Sequence, residues 1–311
     1  MRTVVVFLAC LFSGQICYGW SEGGHHLIVE MAFDDLTKEQ QGDVIAILKS
    51  HPRFAEDFAV PANAEDPNHW LIGRAAYWPD VARSQPLYHR PNWHWQPGAT
   101  LLRDDVEAPA EPGSLPPDAT LETQDLYLSQ AIELCRSILR DQSQRAADRA
   151  IALCWVAHLV NNARQPCHVG SLYCKQFPEG DDHGRSIRTL QGSHLYSLWD
   201  GALGRSYDAV EIQRQKERIL HGLSLRDSRH KGVSPAMLDP ITWVALSRKV
   251  GATQVYSPEL IKVIEAGNPD QQRLRIDLSQ AYLENAERTA RSEAKSAARL
   301  FAEILRQDLA K

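Results

Sequence analysis

The sequence lacks a membrane-spanning stretch. Its first apolar run, Thr3 to Phe12, falls short of the roughly 20 residues a spanning helix needs, and no later segment is long and apolar enough. It also lacks an excess of positive charge. The 34 Lys and Arg stand against 39 Asp and Glu, a formal net charge of −5. That balance excludes a broad basic footprint for duplex nucleic acid. It leaves open a small site that meets phosphate through metal ions. There is no internal repeat and no low-complexity linker, so nothing argues for a second domain. Strand-like patterning is nearly missing, with Thr253 to Tyr256 the only candidate. Cysteine is scarce, at six in 311 residues.

The first 19 residues read as a secretory signal peptide. Arg2 supplies the positive start, and Cys17-Tyr18-Gly19 places small residues at the −3 and −1 positions of a cleavage site. A cut there makes Trp20 the mature N-terminus and residues 20–311 one domain, secreted or periplasmic. Cys135, Cys154, Cys167 and Cys174 remain after the cut. An even number in an oxidising compartment implies one or two disulfides of unassigned pairing.

Helical spacing dominates the mature chain. It predicts helices over His25–Leu36, from a Thr37 capping box to Leu48, over Leu71–Arg83 with Pro79 in a first turn, and over Thr120–Leu139. Further helices are expected over Arg145–Asn162, Leu195–Leu203, Glu211–Leu225, Pro235–Val250 and Leu274–Leu309. Pro52–Pro67 reads as irregular with room for a helical turn, Tyr88–Trp95 as extended. Gly98–Pro117 and Phe177–Ser193 read as loops. The fold class is all-α.

One stretch organises the chain, Trp155 to His168. His158 and Asn162 stand at i and i+4, so both leave one face of an apolar helix. Gln165-Pro166 then ends or bends that helix, and His168 comes after the break. Two core histidines with satisfied hydrogen bonds are one reading. Metal ligands are the other, because zinc takes His nitrogen and Asp oxygen. In chain order the potential ligands are Trp20 (through its α-amino group), His25, Asp80, His94, His158, Asn162, His168 and Asp200.

Taken together, Trp20-x-x-x-Gly24-His25, Trp78-Pro79-Asp80, Trp93-His94, the His158–His168 stretch with Gln165-Pro166, and Trp199-Asp200 resemble the zinc-dependent single-strand nucleases of the S1/P1 type. These are secreted nucleases and 3′-nucleotidases related to bacterial zinc phospholipases C. The resemblance spans essentially the whole mature chain. It implies up to three zinc ions in a cleft. One would take Asp80, His94 and His158, a second His168 and Asp200, a third the amino nitrogen and carbonyl of Trp20 with His25. It implies single-stranded DNA, RNA or 3′-nucleotides as substrates, attacked by a metal-activated water. No protein partner is expected. A phospholipase-like reading finds no amphipathic docking segment to support it.

Two positions depart from the family pattern. Asn162 stands where the family has an aspartate that bridges two zincs. Tyr196, in His194-Leu195-Tyr196, stands where it has a histidine ligand. The glycine-rich loop is also altered, reading Gly180-Asp181-Asp182-His183-Gly184-Arg185. His183 and His194 are either substitute ligands or exposed loop histidines. An active zinc phosphodiesterase is therefore one expectation. A catalytically impaired homologue that binds nucleotide, phosphate or a partner on fewer zincs is the alternative.

Overall fold

A computed structural model describes residues 20–220, 235–267 and 275–310. The signal-peptide segment lies outside that range. Among the described residues there are eleven α-helices and two short strands. The all-α expectation holds, and none of these helices is long and apolar enough to cross a membrane.

The helix α6 (Ala146–Ala163) sits at the centre. Every residue from Ala150 to Ala163 is buried. A helix without a polar face has to be covered on all sides. Here the cover comes from α1 (Glu22–Asp34), α2 (Lys38–Leu48), α4 (Pro67–Val81), α5 (Leu128–Arg140), α9 (Pro240–Val250) and α11 (Gln280–Asp308). Trp78, Trp93 and Trp155 are fully buried in this core. A smaller apolar cluster gathers Trp199 of α7 (Leu195–Asp200), Leu260 and Ile264 of α10 (Pro258–Ala266), and Tyr282 of α11. The remaining helices are α3 (Phe54–Asp57), the turn foreseen in the irregular stretch, and α8 (Ala209–Leu220).

Local chemistry explains the boundaries. Thr37 and Gln40 form the reciprocal capping box that starts α2. Asp66 caps α4 and Pro67 follows in its first turn, so Pro79 lies in the last turn, not the first. Tyr127, not Thr120, opens α5, since Gln130 returns to the Tyr127 N–H at 3.0 Å. Asp239 caps α9 before Pro240, which divides the stretch expected as one helix from Pro235. The Leu195 helix ends at Asp200, and α11 begins at Gln280 behind its Ser279 cap. Residues 221–225, in the expected Glu211–Leu225 helix, lie outside the described residues, as does Leu274.

Several expectations are corrected. Residues Pro91–His94 form a 3-10 turn, tightened by the proline, not an extended segment. The candidate strand at Thr253–Tyr256 is not a strand, and its first three residues are helical. Gly251–Val255 is a π-turn continuing α9, closed by Tyr256 N–H to Gly251 O at 2.9 Å. The real strands are β1 (Ala99–Leu102), inside the expected Pro-rich loop, and β2 (Ser171–Tyr173), and they pair in parallel. The expected disulfides are not formed: Cys135, Cys154, Cys167 and Cys174 are all free and buried.

A charge clamp joins α1 to α4. His69 Nε2 lies 2.7 Å from Asp34 Oδ1, and its Nδ1 lies 2.8 Å from Asp66 Oδ2. Burial works to lower the His69 pKa, but the Asp34 hydrogen bond and charge prevail and raise it. Burial works to raise both carboxyls, yet their hydrogen bonds hold them low. A raised His pKa gives stability that is full below about pH 6.5 and lost as pH rises through the folded value. The depressed carboxyls give stability that is present above about pH 4 and lost below it. His69→Gln is therefore expected to cost about 0.5–1 kcal/mol at pH 5.5, discounted because both carboxylates are close to half exposed. The cost shrinks at pH 8.5, as urea titrations at the two pH values will show. Equal losses at both would assign the effect to ring packing on Phe33 instead.

Candidate metal centre

Five elements converge beside α6. His25 comes from the first turns of α1, and Asp80 from the last turn of α4. His94 closes the Pro91–His94 turn, and His168 closes a second 3-10 turn over Pro166–His168. His158 and Asn162 project from α6, and Asp200 ends α7. All seven side chains are buried. Trp20 is stitched alongside: its indole donates to Asn161 O at 3.0 Å, and the Ser21 N–H donates to Asp200 O at 3.0 Å. Gly24 permits this, since a Cβ there would lie 2.9 Å from Trp20 Cβ.

The parallel strand pair sets the distance between the two histidine turns. Gln96 N–H donates to His168 O at 2.8 Å just before β1 and β2 begin, and His168 Nδ1 donates to His94 O at 2.8 Å. Pro79 has no N–H for the Ala75 carbonyl. One residue on, the Ala76 carbonyl accepts from His158 Nδ1 at 2.9 Å.

That last bond fixes the His158 tautomer and leaves Nε2 as a lone pair. Nε2 faces His94 Nδ1 at 2.8 Å and the Asn162 amide nitrogen at 3.0 Å. His94 Nδ1 also meets an Arg83 guanidinium nitrogen at 3.1 Å, which can only donate. If His94 Nδ1 accepts from Arg83, two lone pairs face each other. If it is protonated, two N–H groups do. Either way one contact is repulsive, and a cation against these nitrogens relieves it. His25, Asp80 and His158 each place a ligand atom within 4.8 Å of the others. His25 Nε2, Asp80 Oδ2 and His94 Nε2 are buried without a hydrogen-bond partner. Orphaned buried polar atoms are costly, and several together mark a site built for a ligand. The donor set, imidazoles with one carboxylate, suits zinc.

The electrostatics agree. Burial holds His25, His94 and His158 well below the ordinary imidazole pKa, so the rings are neutral. Burial pushes the Asp80 carboxyl up to about 6, against the opposing charge and hydrogen bond of Arg83. Neutral imidazole and ionised carboxylate are the forms that bind a metal.

The other half of the cluster is different. His168 donates through Nδ1, so Nε2 accepts, and Tyr196 OH lies 2.8 Å from it. Gln165 Nε2 donates to Asp200 Oδ1 at 2.6 Å. None of His168, Tyr196 or Asp200 carries an orphaned atom. Asn162 turns its amide nitrogen, not its oxygen, to His158, because that nitrogen also donates to His94 O at 3.1 Å. The Asn162 oxygen is left buried without a partner.

His183 and His194 are not simply exposed loop histidines, and each commits its Nδ1 to a hydrogen bond. His183 is buried, and its Nδ1 donates to Cys167 O at 2.9 Å. His194 caps α7, with Nδ1 accepting from Ser197 N–H at 3.0 Å. Sequence reasoning missed Arg83 and Asn161, and it read Gln165 as a helix break and motif residue without its bond to Asp200. Arg83 had a local signal, three residues after Asp80, and it donates to Asp80 Oδ1 through Nε at 2.7 Å. Asn161 had none: its amide holds His25 Nδ1 at 3.1 Å across 136 residues of chain. Tyr77, Tyr196, Asp200 and Arg205 are among the residues that line a neighbouring cleft of about 490 Å³.

Comparison with known proteins agrees with this geometry. The profile of the S1/P1 Nuclease family matches residues 20–310, nearly the whole chain. No curated protein matches the sequence closely enough to name as a relative.

Proposed function

The chain belongs to the S1/P1 nuclease family, and from that premise we propose that it is a zinc-dependent phosphodiesterase acting on single-stranded nucleic acid and 3′-nucleotides. We further propose that residues 1–19 are a signal peptide, and that residues 20–311 act as one domain outside the cytoplasm. The observation that carries the enzymatic reading is the buried His25–Asp80–His158 triad, whose ligand atoms lie within 4.8 Å of one another.

His25, Asp80, His94 and His158 are the residues that would hold the metal. A zinc ion bound there would supply Lewis-acid charge and would make a water nucleophile more acidic. The remaining work falls to the protein. The Ala76 carbonyl keeps the His158 Nε2 lone pair turned toward the cluster. Asn161 fixes the His25 ring, and Arg83 fixes the Asp80 carboxylate. The cleft beside Asp200 is where the substrate sits in this reading, and Tyr77 and Tyr207 of its lining supply ring faces for bases.

The test is metal removal. Stripping by a chelator is expected to abolish hydrolysis of single-stranded DNA, and zinc addition to restore it where magnesium does not. Full turnover in chelator would sink the proposal. A second reading, binding of nucleotide or phosphate without turnover, is favoured by Tyr196 bonding the His168 nitrogen. Zinc uptake without hydrolysis of either substrate class would select it.

A further inference from the structure

The two halves of the cluster differ in what they leave unsatisfied. Around His25, Asp80 and His94 the orphaned atoms accumulate. Around His168 the hydrogen bonds close on themselves. Tyr196 OH donates to His168 Nε2 at 2.8 Å, the nitrogen a metal would need. Asp200 Oδ1, 3.8 Å from that nitrogen, already accepts from Gln165. A neutral phenol is a weak zinc ligand, and an asparagine that turns its nitrogen inward offers no bridging oxygen.

A positive group is already in place there. The Arg185 guanidinium carbon stands 3.9 Å from the centre of the Tyr196 ring. Its side chain is 14% exposed, and its Nη1 is paired with a carboxylate, 3.2 Å from Asp182 Oδ1, which is itself 64% exposed and a weak, solvent-screened partner. The loop that carries it is held in one shape. Asp182 and His183 both adopt positive φ, at 51° and 58°, and Gly184 follows at 87°. Two successive non-glycine residues in that region persist only when their surroundings over-determine them. Here His183 N–H donates to Ser171 Oγ at 2.9 Å, His183 Nδ1 to Cys167 O at 2.9 Å, and Tyr196 N–H to Gly184 O at 3.3 Å. The loop is thus tied to β2, to the His168 turn and to Tyr196 itself. Arg185 lines a second hollow with Arg188, and the Tyr196 ring it stacks on lines the cleft with Asp200 and Arg205. An arginine fork stacked on an aromatic face is a strong receiver for phosphate.

We infer that the His168–Asp200 side of the cleft takes no metal ion, and that Arg185 supplies the positive charge there, as the group that receives a substrate phosphate. The chain then works without the zinc that the family resemblance assigns to His168 and Asp200, with at most two of the three it implies. The substrate in this inference rests on the phosphodiesterase reading, but the evidence for it is separate.

Native mass spectrometry of the full-length mature chain, loaded with excess zinc and desalted, is expected to show at most two zincs per chain, a count that His168→Ala leaves unchanged. Three zincs, or loss of one in His168→Ala, would overturn the inference. Inorganic phosphate binding to the zinc-loaded protein, followed by calorimetry, is expected to weaken about 10- to 100-fold in Arg185→Ala, the range for losing charge-assisted hydrogen bonds. Arg185→Lys, which keeps the charge and loses the fork, is expected to fall between. The zinc count should not change in either variant. Wild-type phosphate affinity in both folded variants would also overturn the inference. At most two zincs with Arg185-dependent phosphate binding but no hydrolysis would instead retire the phosphodiesterase reading and support this assignment.

Discussion

Replacing His158 by alanine is expected to lower both zinc affinity and hydrolysis of single-stranded DNA by more than about 100-fold, the upper end for residues that merely support a metal ligand. The expectation follows from position. His158 has no exposed surface and sits in the stretch of α6 from Ala150 to Ala163, every residue of which is buried. Its Nδ1 is committed to the Ala76 carbonyl, so a backbone bond fixes its Nε2 lone pair toward the cluster. Truncation also leaves the Ala76 carbonyl without that donor, which costs about 1–3 kcal/mol of stability. His158→Gln separates the two effects, because an amide can still donate to the carbonyl. Zinc uptake measured by elemental analysis on folded protein, beside the hydrolysis rate, decides the matter. If His158→Ala keeps more than about a tenth of the wild-type rate, the residue does not hold the metal and the centre lies elsewhere.

The largest expected effect on stability lies far from the cleft, at the end of α11. Asp308 is 1% exposed and accepts from Arg136 Nε at 2.8 Å and Nη2 at 3.1 Å, and from Arg140 Nη2 at 2.9 Å. Arg136 is itself buried and spends Nη1 on Leu238 O at 2.8 Å. Asp308→Ala strands that guanidinium without its anion. Breaking a buried pair from one side costs about 3–5 kcal/mol, far more than the pair's net contribution over an apolar substitute. Urea unfolding is expected to show a lower midpoint with little change in slope. Asp308→Asn, which still accepts, should lose less. A loss under about 1 kcal/mol for the alanine variant would place this bond among ordinary surface ion pairs.

What the sequence disclosed tracked the range of the forces involved. The α2 boundaries were legible because the Thr37–Gln40 capping box is local. The burial of α6 was legible because its apolar residues run without a polar stripe. The strands were not. Ala99–Leu102 and Ser171–Tyr173 are too short for alternation to register, and each exists only because the other lies alongside it. The π-turn at Gly251–Val255 was hidden because Thr253 and Val255 are β-branched, a preference that packing overrode. The disulfides rested on compartment and parity alone, and geometry did not honour them.

The site was legible as a set and not as a geometry. Chain order brought His25, Asp80, His94, His158, His168 and Asp200 under one reading, and the structure gathers all of them beside α6. It does not treat them alike. Which nitrogen of His158 is bare depends on Ala76, 82 residues away. Which face Asn162 presents depends on the His94 carbonyl, 68 residues away. Such choices are made by tertiary contacts and leave no trace in spacing. Asn162 and Tyr196 stand out in the sequence as departures from the family pattern. Their consequence emerges only from the hydrogen bonds they make.

The four buried cysteines have a use beyond the correction they impose. Burial raises every one of these thiol pKa values, so in the folded chain they are protonated and shielded from electrophiles. Cys135 and Cys154 lie in the main core, Cys167 and Cys174 in the smaller one. Each pair thus reports on a different part of the molecule, and its alkylation by a thiol reagent records when that part opens. The protein carries two internal clocks for its own breathing, one in the main core that surrounds α6 and one in the smaller cluster that holds Ile187 and Tyr196.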